Sequence, residues 1–212
     1  MVIKKNILIT SGPTWVAIDG VRVISNIASG QTGFLLAREF SKFGYPVTLL
    51  MGPGNTFAKL KGVKVLSFKY FQQLKQLLDQ ELRTKKYAVV IQAAAVADYK
   101  LKAVRRSKIS SALKALRLEL IPTEKLIKNL KKYSADIVAI GFKFQPHARK
   151  LKLVKDGRDL LKAAQLDLVV ANNSKNNRYL AYILENHNTN GPYNNKAAMA
   201  ANLVKLIFKK IC

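Results

Sequence analysis

Asn6-Ile7-Leu8-Ile9-Thr10 is a short apolar run, and after a long loop Gln31-Thr32-Gly33-Phe34-Leu35-Leu36-Ala37-Arg38-Glu39-Phe40-Ser41-Lys42-Phe43 is an amphipathic stretch that stops at Gly44. The first reads as a buried strand. The second reads as a helix, because glycine accepts the left-handed conformation that closes helices. Pro46 to Met51 follows as a second strand and Val63 to Phe68 as a third. Leu74, Leu77, Leu78 and Leu82 then recur at the spacing of one buried helical face. Tyr87 to Ala97 reads as a fourth strand, apolar on both faces as a central parallel strand should be. A helix from Glu124 to Lys132 precedes a strand from Asp136 to Phe142, and a helix ending near Lys162 precedes a strand from Asp167 to Ala171. Tyr179 to Leu184 reads as an edge strand, and Lys196 to Lys210 as a closing helix with Ala197, Ala200, Val204 and Phe208 inward. Strands alternating with helices predict an α/β fold, a doubly wound, Rossmann-like and mostly parallel sheet with helices on both faces. Ligands of such sheets bind beyond the carboxyl ends of the strands.

The 212 residues are expected to form a single domain. They carry 37 Lys and Arg against 12 Asp and Glu, a formal charge of +25. Half the residues are apolar, so the basicity does not come with the low hydrophobicity of disorder. Two explanations of the charge stand open: phosphate neutralisation on a nucleic acid, or a lysine coat on an ordinary surface, since basic residues occur on every predicted element. The longest apolar run, Ala88 to Ala97, is broken by Gln92 and falls far short of the roughly 20 residues of a spanning helix. Lys4 and Lys5 precede a short strand instead of a secretory segment. The single Cys212 excludes a disulfide scaffold and cysteine-ligated zinc. A cytoplasmic, membrane-free setting is expected.

Two glycines stand at the start of the first helix, Gly30 and Gly33, after Ser25-Asn26-Ile27-Ala28-Ser29. Small residues at a helix N-terminus let backbone amides approach a phosphate, but glycines at such turns serve tight packing as often. Both readings stand at this point. The dinucleotide signature G-x-G-x-x-G is missing, with Ala28 in its first position, and Gly52-Pro53-Gly54-Asn55-Thr56-Phe57 follows the wrong strand and ends in Phe. No tyrosine has a lysine four residues later, which weakens nicotinamide chemistry. His147 and His187 have no partner at ligand spacing and read as surface residues. No nucleophile elbow occurs. Between Tyr99 and Glu119 lies a basic stretch with Lys100, Lys102, Arg105, Arg106, Lys108, Lys114 and Arg117, which reads as a mobile flap spanning about 100–120. Amides, lysines, an acidic residue and a metal ion are left to carry the chemistry.

Taken together, Thr10-Ser11-Gly12-Pro13-Thr14, Ile18-Asp19, Val21-Arg22, Ile24-Ser25-Asn26, Ser29-Gly30 and Gly33 resemble the first loop of phosphopantothenate-cysteine ligases. Ala94-Ala95-Val96-Ala97-Asp98-Tyr99 looks like their second motif, and Lys108-Ile109-Ser110-Ser111 resembles the flap lysine of the stand-alone bacterial subgroup. Ile140-Gly141-Phe142-Lys143 and Asp167-Leu168-Val169-Val170-Ala171-Asn172 complete the order, so the resemblance covers nearly the whole chain.

The resemblance implies a two-step ligase of coenzyme A synthesis. The carboxylate of 4′-phosphopantothenate attacks the α-phosphate of CTP, with magnesium, giving an acyl-cytidylate and pyrophosphate; the cysteine amine then displaces CMP. Both first-step reactants are anions, so positive groups must offset their repulsion. By the same resemblance Lys108 closes on the triphosphate, Asn26 holds the acyl carbonyl, and Arg22, Ser25 and Gly30 bind phosphopantothenate. Ala94, Ala95 and Asp98 contact the nucleotide. Thr123 would cap the helix at Glu124, leaving the amides of Glu124, Lys125 and Leu126 for phosphate oxygens. Phe142 would lie beside the base, and Arg158 with Lys162, one helical turn apart, resembles a nucleotide-binding pair. A homodimer, a separate decarboxylase and no flavin are further implications. Pro13, Ile27 and Asn173 depart from the family pattern. The alternatives are a basic nucleic-acid-binding module, against which the flap offers no aromatic residue from Lys100 to Arg117, and a nucleotide-dependent oxidoreductase.

Overall fold

The computed structural model describes residues 5–54, 57–105, 107–175 and 178–211. Eight strands form the main sheet: β1 (Asn6–Ser11), β4 (Val47–Met51), β5 (Val63–Ser67), β6 (Tyr87–Gln92), β9 (Val138–Phe144), β10 (Leu168–Lys175), β11 (Arg178–Leu184) and β12 (Thr189–Tyr193). Two short ribbons lie outside it, β2 (Trp15–Ala17) with β3 (Val23–Ser25), and β7 (Tyr99–Leu101) with β8 (Leu120–Pro122). The order across the sheet is β12-β11-β10-β9-β6-β1-β4-β5. β1, β4, β5, β6, β9 and β10 are parallel, while β11 and β12 return antiparallel.

Helices α1 (Gln31–Lys42) and α4 (Lys196–Ile211) cover one face; α2 (Phe71–Arg83), α3 (Lys150–Ala163) and a 3₁₀ segment (Leu126–Lys132) cover the other. The strands alternate as a two-sided sheet requires. Ile7, Ile9, Val89, Ile91, Ile140 and Val170 face α1 and α4. Leu8, Val90, Ala139, Val169 and Ala171 face the opposite layer, where Leu74, Leu78 and Leu82 form the buried stripe of α2. Both layers are hydrophobic and continuous, which makes the sheet a rigid support for the loops at its end.

The doubly wound reading holds, with five corrections. β6 stops at Gln92, because Ala93 and Ala95 donate to the carbonyls of Thr10 and Gly12 and the strand's continuation becomes a loop zipped to the end of β1. The 124–132 helix is 3₁₀ and begins at Leu126. Its expected first turn is drawn elsewhere: Glu124 binds Lys75 and Asn129, and Lys125 binds Asp98. Thr123 does not cap it; its hydroxyl donates to the Ala97 carbonyl at 2.6 Å. β11 is an interior strand, the edge being β12. On α4 the buried face centres on Met199, Leu203 and Ile207, larger side chains than Ala197, which is exposed.

A candidate active site at the sheet switch point

From β1 the sheet grows through β4 and β5 to one side and, after α2, from β6 through β9 and β10 to the other. The carboxyl ends of β1 and β6 therefore flank the point where the winding reverses, the place where such sheets open a crevice. Residues 12–30 leave β1 there and residues 93–98 leave β6. The two loops are stitched together: Thr14 N–H donates to the Ala95 carbonyl at 3.3 Å, Ala94 N–H to the Thr10 hydroxyl at 3.1 Å, and Ala97 N–H to the Thr14 hydroxyl at 2.8 Å.

Gly30 caps α1 in the left-handed conformation, φ +79°, and a Cβ at Gly33 would lie 2.3 Å from the Ser11 hydroxyl oxygen. Packing thus accounts for Gly33 and backbone conformation for Gly30. The amides of the first turn of α1 still point out of the crevice floor, as helix N-termini leave them. Only Gln31 N–H among them turns back, to Ser29 Oγ at 3.3 Å.

Asn26 lies across the crevice, its Nδ2 donating to the Ala95 carbonyl at 3.1 Å. Ser25 donates to the Asn26 carbonyl. The Ala94 and Ala95 amides are committed to Thr10 and Gly12. What these two residues offer a ligand is a small-side-chain surface. Asp98 follows, exposed, and pairs with Lys125 at 2.6 Å while its carbonyl accepts from Thr123 N–H. β7 and β8 pair Tyr99 with Pro122, so the base of the 102–119 flap rests directly on Asp98. The flap is fastened a second time: Ile109 is buried, its N–H donates to Asp19 Oδ2 at 3.0 Å, and its carbonyl accepts from Arg22 Nη1 at 3.1 Å. Lys108, immediately before, is exposed and has no ion-pair or hydrogen-bond partner among the described residues. The Lys75 ammonium holds the Glu124 carboxyl below its usual range.

Arg22, Ser25, Asn26, Gly30, Ala94, Ala95, Asp98, Lys108, Glu124 and Lys125 are thus gathered on the loops over one edge, while Leu126 is the first residue of the 3₁₀ segment and is buried in the core. Phe142 stands at the same edge, one residue beyond the pairing of Gly141 with Gln92, half-buried against the α1 and α4 core. Arg158 and Lys162 are not brought there. They lie in the last turns of α3, beside Glu185, Asn186 and His187 in a cleft at the opposite end of the strands, and Arg158 donates to the Asn186 carbonyl and the Thr189 hydroxyl. His147 and His187 are exposed, as expected. Asp19 stands in the first-loop motif, but no role was attached to it there. Its buried carboxylate gathers the amides of Val21, Arg22 and Ile109 and the Arg22 guanidinium. The Asp19-Gly20 pair, an aspartate able to accept the amides two and three residues on, was the available signal for the turn.

A protein-built magnesium centre does not fit this donor set: no three His, Cys, Asp or Glu converge among the described residues, and the Asp98 carboxylate is engaged by Lys125. No described helix is long and apolar enough to cross a membrane.

Residues 2–211 match the family model described as DNA/pantothenate metabolism flavoprotein C-terminal domain. The coenzyme A biosynthesis bifunctional protein CoaBC of Thermococcus kodakarensis is 33% identical over 171 residues, covering 81% of this chain and 42% of that protein. The CoaBC protein of Borreliella burgdorferi is 33% identical over 176 residues, covering 81% and 43%. The chain thus spans less than half the length of these curated relatives. Among solved structures, the DNA/pantothenate metabolism flavoprotein from Streptococcus pneumoniae superposes with a TM-score of 0.87 at 25% identity, over 97% of this chain and 99% of that one. The C-terminal domain of a CoaBC protein gives 0.77 at 25% identity, over 98% and 95%.

Proposed function

The chain belongs to the DNA/pantothenate metabolism flavoprotein C-terminal domain family, and on that premise we propose that it is a phosphopantothenate-cysteine ligase that activates its acid substrate with CTP. The observation that carries this reading is the convergence of an amide, an acidic residue and an unpaired lysine, Asn26, Asp98 and Lys108, on loops over one switch-point crevice.

In the first step a carboxylate oxygen of 4′-phosphopantothenate forms a bond to the α-phosphorus of CTP, and the bond from that phosphorus to the bridging oxygen breaks, releasing pyrophosphate. Charge accumulates where two anions meet. Lys108 is a flap cation free to offset it, and a single well-aimed donor of this kind contributes on the order of 10²–10³ in rate. In the second step the cysteine amine attacks the acyl carbon, the C–O bond to the cytidylate breaks, CMP leaves with the electron pair, and the ammonium proton goes to solvent. Asn26 Nδ2 is the donor for the acyl carbonyl, exchanging its present acceptor, the Ala95 carbonyl, for the substrate. The nucleotide rests on the 94–98 loop and on the Lys125 side of the flap base. Magnesium enters as part of the substrate, on the triphosphate, in keeping with an ion that keeps waters and phosphate ligands.

The oxidoreductase alternative loses further ground, because residues 12–30 pass through the β2–β3 ribbon where a dinucleotide fold has a tight glycine turn. A homodimer, a separate decarboxylase supplying the next step and a cytoplasmic setting belong to the same reading. Leu113, Leu116, Leu118 and Leu120, exposed along the flap, support the dimer. The test is pyrophosphate release with CTP or ATP and phosphopantothenate, with and without cysteine. Release with CTP before cysteine is added is expected; no release with either nucleotide would overturn the ligase reading.

A further inference from the structure

The flap lysine is fastened to the first loop through one residue. Asp19 Oδ2 accepts the N–H of the Lys108–Ile109 peptide at 3.0 Å, and Arg22 Nη1, itself 2.9 Å from the same Oδ2, donates to the Ile109 carbonyl at 3.1 Å. The other carboxylate oxygen, Oδ1, accepts Val21 and Arg22 N–H at 2.8 Å each. The Asp19 side chain is fully buried, and Ile109 is buried. Residues 102–108 and 110–119 are otherwise exposed where described, apart from the ribbon at the base. The backbone on both sides of Ile109 is therefore held by one carboxylate and its guanidinium, one peptide away from Lys108.

We propose that Asp19 is a positioning residue, a latch that couples the phosphopantothenate loop to the flap and holds Lys108 over the crevice for nucleotidyl transfer. The proposal rests on the ligase reading for its last clause alone. Arg22 sits in both halves of the device, on the loop assigned to the acid substrate and on the flap carbonyl. Occupation of that loop and placement of Lys108 are thereby linked.

Asp19→Asn separates the two functions of the carboxylate. Oδ1 stays an acceptor for the two turn amides, which fixes the amide's orientation and turns an NH₂ toward Ile109 N–H and Arg22 Nη1, three donors facing one another. The latch opens and the turn stays. Limited trypsin digestion of the free protein, read by mass spectrometry, is expected to cut after Arg105 and Lys108 at least tenfold faster in Asp19→Asn than in the wild type, with cleavage elsewhere unchanged. Arg22→Gln, which keeps the Asp19 turn, is expected to speed the same cuts. Single-turnover pyrophosphate release is expected to slow ten- to a hundredfold in Asp19→Asn, and the substitution is expected to add little to Lys108→Gln, as for two changes acting through one group. Aminolysis of added acyl-cytidylate is expected to keep its wild-type rate. Unchanged flap cleavage in both variants would overturn the latch. Additive losses in the double variant would overturn its action through Lys108. If the wild type releases no pyrophosphate at all, the ligase reading fails while the digestion still decides the latch.

Discussion

Gly33, in the first turn of α1, packs so tightly on Ser11 at the end of β1 that a Cβ there would lie 2.3 Å from the serine oxygen and 2.4 Å from its Cβ. Alanine is the better helix former by about 1 kcal/mol, so on propensity alone Gly33→Ala should stabilise. Contact decides otherwise: overpacking of this kind costs about 1–3 kcal/mol, and it also dislodges the Ser11 hydroxyl from the Gly30 carbonyl, 2.7 Å away. With the hydrogen bond lost, the net cost is about 1–2 kcal/mol, and the expected result is a Tm lowered by about 2–8 °C. Adding Ser11→Ala should not restore it, because the serine Cβ is the second clash. A Tm equal to or above that of the wild type would refute the packing account.

Asp98 and Lys125 are a test of function without stability. Both are about half exposed or more, 65% and 52%, and exposed pairs contribute on the order of 0–1 kcal/mol. Asp98→Asn is therefore expected to melt within about 2 °C of the wild type. If Asp98 contacts the nucleotide, the KM for CTP should rise at least tenfold with little change in KM for cysteine. An unchanged KM for CTP would remove Asp98 from the nucleotide site.

The sheet was legible in the sequence because its signal is burial: Ile7 to Ile9, Val89 to Ile91 and Val169 to Ala171 are apolar on both faces, and only a sheet covered on both sides asks for that. Elements held by backbone alone were not legible. Thr189-Asn190-Gly191-Pro192-Tyr193 has no alternation, yet forms β12, where an edge tolerates proline. Trp15 to Ala17 and Val23 to Ser25 are too short for a period to show. The candidate site divides the same way. Asn26, Asp98 and Lys108 stood in recognisable motifs with roles attached, whereas the local sequence around Asp19 announces only its turn and not its hold on Ile109, 90 residues away.

Arg158 separates motif from geometry. Its two hydrogen bonds brace the turn between β11 and β12 at the far end of the strands. Arg158→Gln is expected to lower stability by about 1 kcal/mol, a fall of about 2–4 °C in Tm, and to leave the KM for CTP within twofold of the wild type. A tenfold rise in that KM with an unchanged Tm would return the residue to the nucleotide site.

Asn26→Asp keeps shape and exchanges a donor for a charge. The Nδ2 donor to the Ala95 carbonyl is lost, and with it the group assigned to the acyl carbonyl. Pyrophosphate should still be released, while acyl-cytidylate accumulates and cysteine no longer consumes it at the wild-type rate. Mass spectrometry of quenched reactions measures both. Parallel loss of the two steps would reject the assignment to the second.

Asp19 gives the pH dependence of the latch. Its carboxyl is lowered from the ordinary 3.8 to about 2, first by the Ile109 N–H and then by those of Val21 and Arg22, against the opposing effect of burial. A carboxyl depressed on folding stabilises above its unfolded value and loses that contribution as the pH falls toward its folded value. The contribution is complete at neutral pH and begins to fade only below about pH 5. Asparagine at position 19 cannot titrate. The Tm difference between the wild type and Asp19→Asn is therefore expected to be constant from pH 8 to about pH 5 and to narrow steadily below pH 4. Flap cleavage in the wild type, followed with an acid-active protease such as pepsin, should rise over the same interval. A difference that held constant down to pH 2.5 would mean that the carboxylate is not the group holding the flap.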